Sequence, residues 1–238
     1  MRIAMWSGPR NLSTAMMYSF GNREDFAVVD EPFYAAYLAA TGLDHPMRDQ
    51  ILASQSQDAA AVAEALIGSI PGEKSHFYQK HMTQHMIPEV PRDWMGEVTN
   101  VFLLRHPARV VASFSAKYDA PTLSDIGFSQ QTELYEQIVA SGDVPVIIDS
   151  ADIRRNPEDM LRKLCDRLDL AWDPAMLSWK KGGHPDDGVW AAHWYGAVHD
   201  STGFAGPEGA LPELDGALAR LTEEAMPHYE KLYVHRLT

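Results

Sequence analysis

The chain is predicted to fold as an α/β domain with a central, mainly parallel sheet of about five strands. Three observations lead to that prediction. Short runs of strand formers recur five times, at Arg2–Trp6, Ala27–Val29, His76–Gln79, Thr99–Leu104 and Val144–Ile148. Longer stretches of helical spacing separate these runs, and strands that alternate with helices bury best as a parallel sheet covered on both faces. No repeat or linker divides the 238 residues, and with 45% of them hydrophobic they suffice for one well-buried domain over 1–238.

In chain order, the run Ala15–Phe20 reads as the first helix. Asp49 to Ile70 reads as a second, carrying Ile51, Leu52, Val62, Leu66, Ile67 and Ile70 around an Ala-rich middle. Pro107–Ala116, Leu123–Ala140 and Pro157–Leu168 follow, and Cys165 in the last of these is spaced with Leu161, Leu164 and Leu168 as a core thiol. From Leu211 to Leu232, apolar residues three and four apart form a core-facing stripe. Residues 182–209 lack periodicity and are rich in Gly, Pro and His, which marks a lid or substrate loop. Their Trp190, Trp194, Tyr195 and Phe204 argue against disorder.

The net charge of −13 disfavours nucleic acid and other extended polyanions, so an anionic ligand must be small and held in a local basic pocket. No apolar run reaches the roughly 18 residues that a membrane span needs. The first residues lack the pattern of a signal peptide, and the single cysteine cannot form an internal disulfide. A cytoplasmic location is the resulting expectation.

Two stretches carry the chemistry. Ser7-Gly8-Pro9-Arg10-Asn11-Leu12-Ser13-Thr14 lies between the first strand and the first helix. Free N–H groups at a helix start, the Arg10 fork and two hydroxyls together describe an anion cradle. It is not the ATP loop G-x-x-x-x-G-K-[ST]. The second stretch starts at Arg105, which emerges from the fourth strand at the carboxyl edge where open α/β sheets bind ligands. Pro107 suits a first helical position, and Ser113 follows about two turns into that helix.

Pro9-Arg10-Asn11-Leu12-Ser13-Thr14 resembles the P-K-S-G-T-T loop that holds the 5′-phosphosulfate in the PAPS-dependent sulfotransferases. Arg105 and Ser113 resemble the Arg and Ser that hold the 3′-phosphate of phosphoadenosine phosphosulfate (PAPS) in that family. Ile147–Asp152, Arg155–Leu161 and Leu168–Pro174 are similar to the family's "YEDL…DP…L" stretch. Lys180-Lys181-Gly182-Gly183 with Trp190 is similar to the late R-K-G…W segment that closes over the nucleotide. The likeness is closest to the bacterial sulfotransferase-like branch, with its Arg in the first loop and Glu-Pro after the second strand. It departs from the wider family in having Arg10 in place of Lys, Leu12 in place of Gly and Ala15 where a Trp stacks on adenine.

The resemblance implies a three-layer P-loop-like fold and transfer of a sulfuryl group from PAPS to a hydroxyl or amine of a small-molecule acceptor, leaving PAP. It implies nucleotide contacts from Gly8, Pro9, Arg10, Asn11, Leu12, Ser13 and Thr14, with Arg105, Ser113 and Lys181 beyond the loop. Arg10 would also act in catalysis, and Lys80 would contact the sulfuryl group. Two groups compete as base: His81, in a stretch similar to the family's K-x-H but here adjacent to Lys80, and Glu31 of the Glu31-Pro32 pair. His81 and His85, four apart, would share a helix face, but two ligands are too few for a metal, and none is expected. The alternatives are an ATP-dependent small-molecule kinase of similar fold and a non-catalytic nucleotide-binding module. Nucleic-acid and membrane partners are not expected, and neither the acceptor nor the oligomeric state is legible.

Overall fold

The computed structural model describes all 238 residues. Its five strands are β1 (Arg2–Ser7), β2 (Phe26–Asp30), β3 (His76–Met82), β4 (Thr99–Leu104) and β5 (Val146–Asp149), in the order β2-β3-β1-β4-β5. Every pair is parallel, with Trp6 beside His81 and Phe102, and Leu104 beside Asp149. All carboxyl ends therefore lie on one edge, which is where the Gly8–Thr14 loop, Glu31, Lys80 and Arg105 emerge.

The helices are α1 (Ser13–Gly21), α2 (Tyr34–Thr41), α3 (Arg48–Ser54), α4 (Ala59–Ile67), α5 (Pro107–Ser115) and α6 (Phe128–Ala140), then α7 (Ser150–Arg155), α8 (Pro157–Arg167), α9 (Ala191–Trp194), α10 (Gly196–His199) and α11 (Gly216–Tyr233). Strand alternation divides the core in two. Ala4, Trp6, Phe102 and Ile147 face α4, α5, α6 and α11, whereas Ile3, Met5, Val101 and Ile148 face α1 and α8. Cys165 lies fully buried in the second layer. The result is the expected three-layer α/β arrangement, and no helix is long and apolar enough to cross a membrane.

A third, smaller cluster joins α2 and α3 to Trp190, Ala191 and Tyr195. Residues 182–209 are thereby anchored beside the carboxyl edge, with Ser178 bridged to Gly203.

Several boundaries differ from the sequence expectation. The stretch from Asp49 to Ile70 is two helices, because Asp58 Oδ1 accepts from Ala60 N at 2.9 Å and Ala61 N at 3.2 Å and so caps a new start. Helix α6 begins only at Phe128, since Gly127 at φ 72° breaks the backbone before it. The last helix begins at Gly216 rather than Leu211, which stays about half exposed. The fifth strand starts at Val146, after Pro145, leaving Val144 in solvent.

Candidate active site

The loop Gly8–Leu12 joins β1 to α1. A Cβ on Gly8 would stand 2.5 Å from the Ile126 carbonyl oxygen, so only glycine fits that approach. Asn11 Nδ2 donates to the Leu103 carbonyl at 2.9 Å while its Oδ1 accepts from Leu12 N at 2.7 Å, tying the loop to β4. No side chain caps α1, so its first N–H groups remain available to an anion. Arg10 has φ 55° and Glu31 φ 42°, and both follow a strand end. Left-handed backbone at two bulky residues is strain of the kind that collects at functional sites.

Arg10 and Arg105 repel each other across the loop. Burial first, and then the Arg105 charge, lowers the Arg10 guanidinium from its usual range. Arg10 Nε donates to Ser113 Oγ at 3.0 Å, and Arg105 donates to the Arg10 carbonyl, so the three residues named from two distant motifs form one assembly. Around them lies a cluster absent from the sequence expectation. Glu208 is clamped by Arg105, by Arg154 Nη1 at 2.7 Å, and by Arg109, whose Nε stands 3.1 Å from Oε2. Arg109 is not aligned for a hydrogen bond, which leaves buried Oε2 without a partner. Three guanidiniums share one carboxylate, and Arg10 stands beside them on Arg105.

The other half of the site is built on β2 and β3. Lys80 Nζ donates to Asp30 Oδ1 at 2.7 Å, Glu31 Oε1 at 2.5 Å and Tyr195 Oη at 2.6 Å, which engages all three ammonium protons. Burial works against the Lys80 charge, but the two carboxylates outweigh it and hold the amine protonated. Asp30 also accepts from Gly188 N at 3.0 Å, and Trp190 Nε1 donates to Tyr195 Oη at 2.9 Å. Glu31 is tethered through one oxygen; its other, Oε2, stands 4.0 Å from His85 Nε2.

Not every expected residue reaches the site. His81 is turned away: adjacent residues of a strand point to opposite faces, so Lys80 at the site sends His81 to the far side. It stacks on Trp6 at 4.5 Å, beside Trp94 at 5.2 Å, and bonds only to Gln79 Oε1 at 3.3 Å. Burial pushes its pKa down to about 3, so it sits neutral in the core. Nor do His81 and His85 share a helix face, for one ends a strand and the other lies in the turn Thr83–His85. Lys181 is exposed and paired with Asp200 at 3.1 Å, apart from the loop and the arginine cluster.

His85 is the histidine at the site. It is buried between Tyr34, at 4.5 Å, and Tyr37, at 4.8 Å, with Nδ1 unpartnered. Burial keeps it well below the ordinary histidine range and therefore uncharged. The adjacency of Lys80 and His81, where the family spacing is K-x-H, was the one available signal that His81 points elsewhere. Nothing local marks Arg154, Tyr195 or Glu208.

A cavity of about 290 Å³ connects the two halves. Arg10, Ser13, Thr14 and Arg105 line one end, and Glu31, Lys80, His85 and Tyr195 the middle.

Residues 1–235 match the family described as a sulfotransferase domain (Sulfotransfer_5). Branched-chain-amino-acid aminotransferase-like proteins 1 and 2 of Arabidopsis thaliana are 38% and 36% identical to the chain, over 98% of its length. The chain spans only 42% and 41% of the length of these relatives. Among solved structures, the sulfotransferase from Alicyclobacillus acidocaldarius aligns with a TM-score of 0.54 at 12% identity, covering 99% of this chain and 96% of that one. The sulfotransferase domain of the Synechococcus PCC 7002 olefin synthase aligns at 0.53 and 17%, covering 100% and 96%. At such identities the likeness concerns the fold.

Proposed function

We infer that this chain, which belongs to the sulfotransferase domain family, moves a sulfuryl group from PAPS to a hydroxyl or amine of a small-molecule acceptor. The observation that carries the reading is the single cavity that joins the Arg10–Arg105 cradle to Glu31. Two features support an anionic ligand at the cradle. The start of α1 is uncapped, and Arg10, Arg105, Arg109 and Arg154 gather there with Glu208 as the one carboxylate paired to three of them.

PAPS, when bound, supplies a sulfuryl group activated by a phosphate leaving group. In the reading we adopt, Gly8–Thr14 hold the phosphosulfate while Arg105 and Ser113 serve the second phosphate. Glu31 takes the acceptor's proton as the acceptor atom bonds to sulfur. The sulfur–oxygen bond to phosphate breaks, and Arg10 with the α1 N–H groups holds the charge that builds on the departing oxygen. Arg10 stays protonated throughout, so its part is electrostatic. Lys80 acts as the anchor that aims Glu31, since its protons are already engaged. Residues 182–209 close over the site as part of one domain, fastened by Tyr195 at Lys80 and by Glu208 at the arginines.

Thermal unfolding with PAP, compared with ATP and Mg²⁺, tests the reading. PAP at roughly 100 times its dissociation constant adds about 2.7 kcal/mol of stability. A shift with ATP and none with PAP sinks it and favours the kinase. Turnover of a PAPS-consuming assay that survives Glu31→Gln removes Glu31 as base.

A further inference from the structure

Beyond Glu31 the cavity changes character. Its far end is walled by Tyr34, Tyr37, His45, Tyr118 and Trp194, and a second carboxylate, Asp125, stands there. His45 links the wall: its Nδ1 lies 3.0 Å from the Tyr34 hydroxyl, and its ring meets Tyr37 and Tyr118 edge-on at 5.9 and 6.5 Å. Asp125 makes both of its hydrogen bonds through Oδ2, to Thr122 N at 2.8 Å and Thr122 Oγ1 at 2.7 Å. Its Oδ1 has no hydrogen-bond partner in the chain.

No basic side chain pairs with Asp125: none lies within salt-bridge distance of it, and Lys80 is already shared by Asp30 and Glu31. His45 and His85 are both kept uncharged by burial. Asp125 lines the same cavity as Tyr37 and Tyr118, and burial, with the Asp125 charge after it, pushes Tyr37 up to about 12 and raises Tyr118 as well. Aromatic faces are themselves negative: Trp194 of the wall already attracts the Lys117 ammonium, 5.5 Å from its centroid, and Tyr195 beside it attracts Lys80 at 4.9 Å.

We propose that the acceptor is a small organic cation, an alcohol bearing an ammonium group, seated with its charge between Asp125 and the aromatic wall and its hydroxyl toward Glu31 and Arg10. The proposal rests on the sulfotransferase reading for the fate of that hydroxyl and on the cavity alone for the cation. The opposite charges of the two ends then orient both substrates: anionic donor at the arginines, cationic acceptor at the carboxylates.

Choline and its uncharged isostere 3,3-dimethyl-1-butanol separate the possibilities, titrated calorimetrically into the full chain with and without PAP. Choline binds about tenfold more tightly than the alcohol. Asp125→Asn, which keeps the shape and the Thr122 contacts, loses most of that preference and leaves PAP affinity unchanged; Tyr118→Leu weakens choline through the wall. Equal affinities, tighter binding of the neutral alcohol, or no choline binding up to about 50 mM overturns the proposal. If choline is preferred but PAP does not bind, the cation site stands and the sulfotransferase reading falls. If PAP binds and choline is not preferred, the reverse holds.

Discussion

Two clusters of buried charge sit on the same sheet edge and are balanced in opposite ways. At β2 and β3 one lysine faces two carboxylates and a phenol, and every proton of Lys80 has an acceptor. At β1 and β4 several guanidiniums crowd one carboxylate, one of whose oxygens is unsatisfied. The first is a closed network that holds backbone and side chains in place. The second keeps an excess of positive charge that nothing in the chain neutralises, in a protein whose net charge is −13. Full engagement of the lysine's protons makes Lys80 a positioning residue, and surplus charge at a cavity marks a ligand's place.

The largest effect falls on the closed network. Lys80→Met leaves Asp30 and Glu31 buried without a counter-charge and costs about 3–5 kcal/mol of stability. Arg105→Ala, with Arg109 and Arg154 still on Glu208, costs within about 1 kcal/mol. Denaturant unfolding of both variants checks the contrast, and equal losses would erase it.

The core side of β3 adds a pH-dependent loss. His81 is held at about 3 when folded against 6.5 ordinarily, so below pH 6.5 the unfolded chain takes up a proton that the folded one refuses. Its contribution is complete above pH 6.5 and is lost as pH falls toward 3. By pH 4.5 the loss is roughly 2–3 kcal/mol. His81→Phe flattens that part of the profile, and an unchanged slope in the variant assigns the acid sensitivity elsewhere.

At the open cluster the readout is binding. Arg105→Ala removes charge-assisted hydrogen bonds worth about 1.5–3 kcal/mol to an anion, so PAP weakens by roughly ten- to a hundredfold. Adenosine 5′-phosphate, which lacks the second phosphate, is unaffected. Calorimetry showing the same loss for both nucleotides would detach Arg105 from that phosphate. The smallest effect belongs to Glu208→Gln. Removing the competing charge tightens PAP by about five- to tenfold, and weaker binding instead makes Glu208 part of the cradle.

The layered fold was readable because it follows from local pattern. Apolar runs alternating with helical spacing specify strands and helices, and their alternation leaves a parallel sheet as the compact arrangement. The cradle at Gly8–Thr14 was readable for the same reason: it is contiguous, and its chemistry is written in neighbouring residues. The grouping of Arg105 with Ser113 as partners of the loop rests on likeness to a family, and the hydrogen bond from Arg10 to Ser113 across 103 positions is seen only in the folded chain. The misplacement of His81 came from spacing borrowed from K-x-H, when strand alternation with Lys80 next door already sends it to the other face.

By its own pattern, then, the sequence determined the sheet, the carboxyl edge and the candidate anion cradle at Gly8–Thr14, because each depends on residues within a few positions of one another. Tertiary structure alone decided which histidine reaches the cavity, how the cations are paired, and that Tyr195 and Glu208 of residues 182–209 meet Lys80 and the arginines. Those outcomes depend on groups 50 to 165 positions apart. Burial strengthens the interaction between charges, so what a cluster can do is set by the partners that folding brings to it.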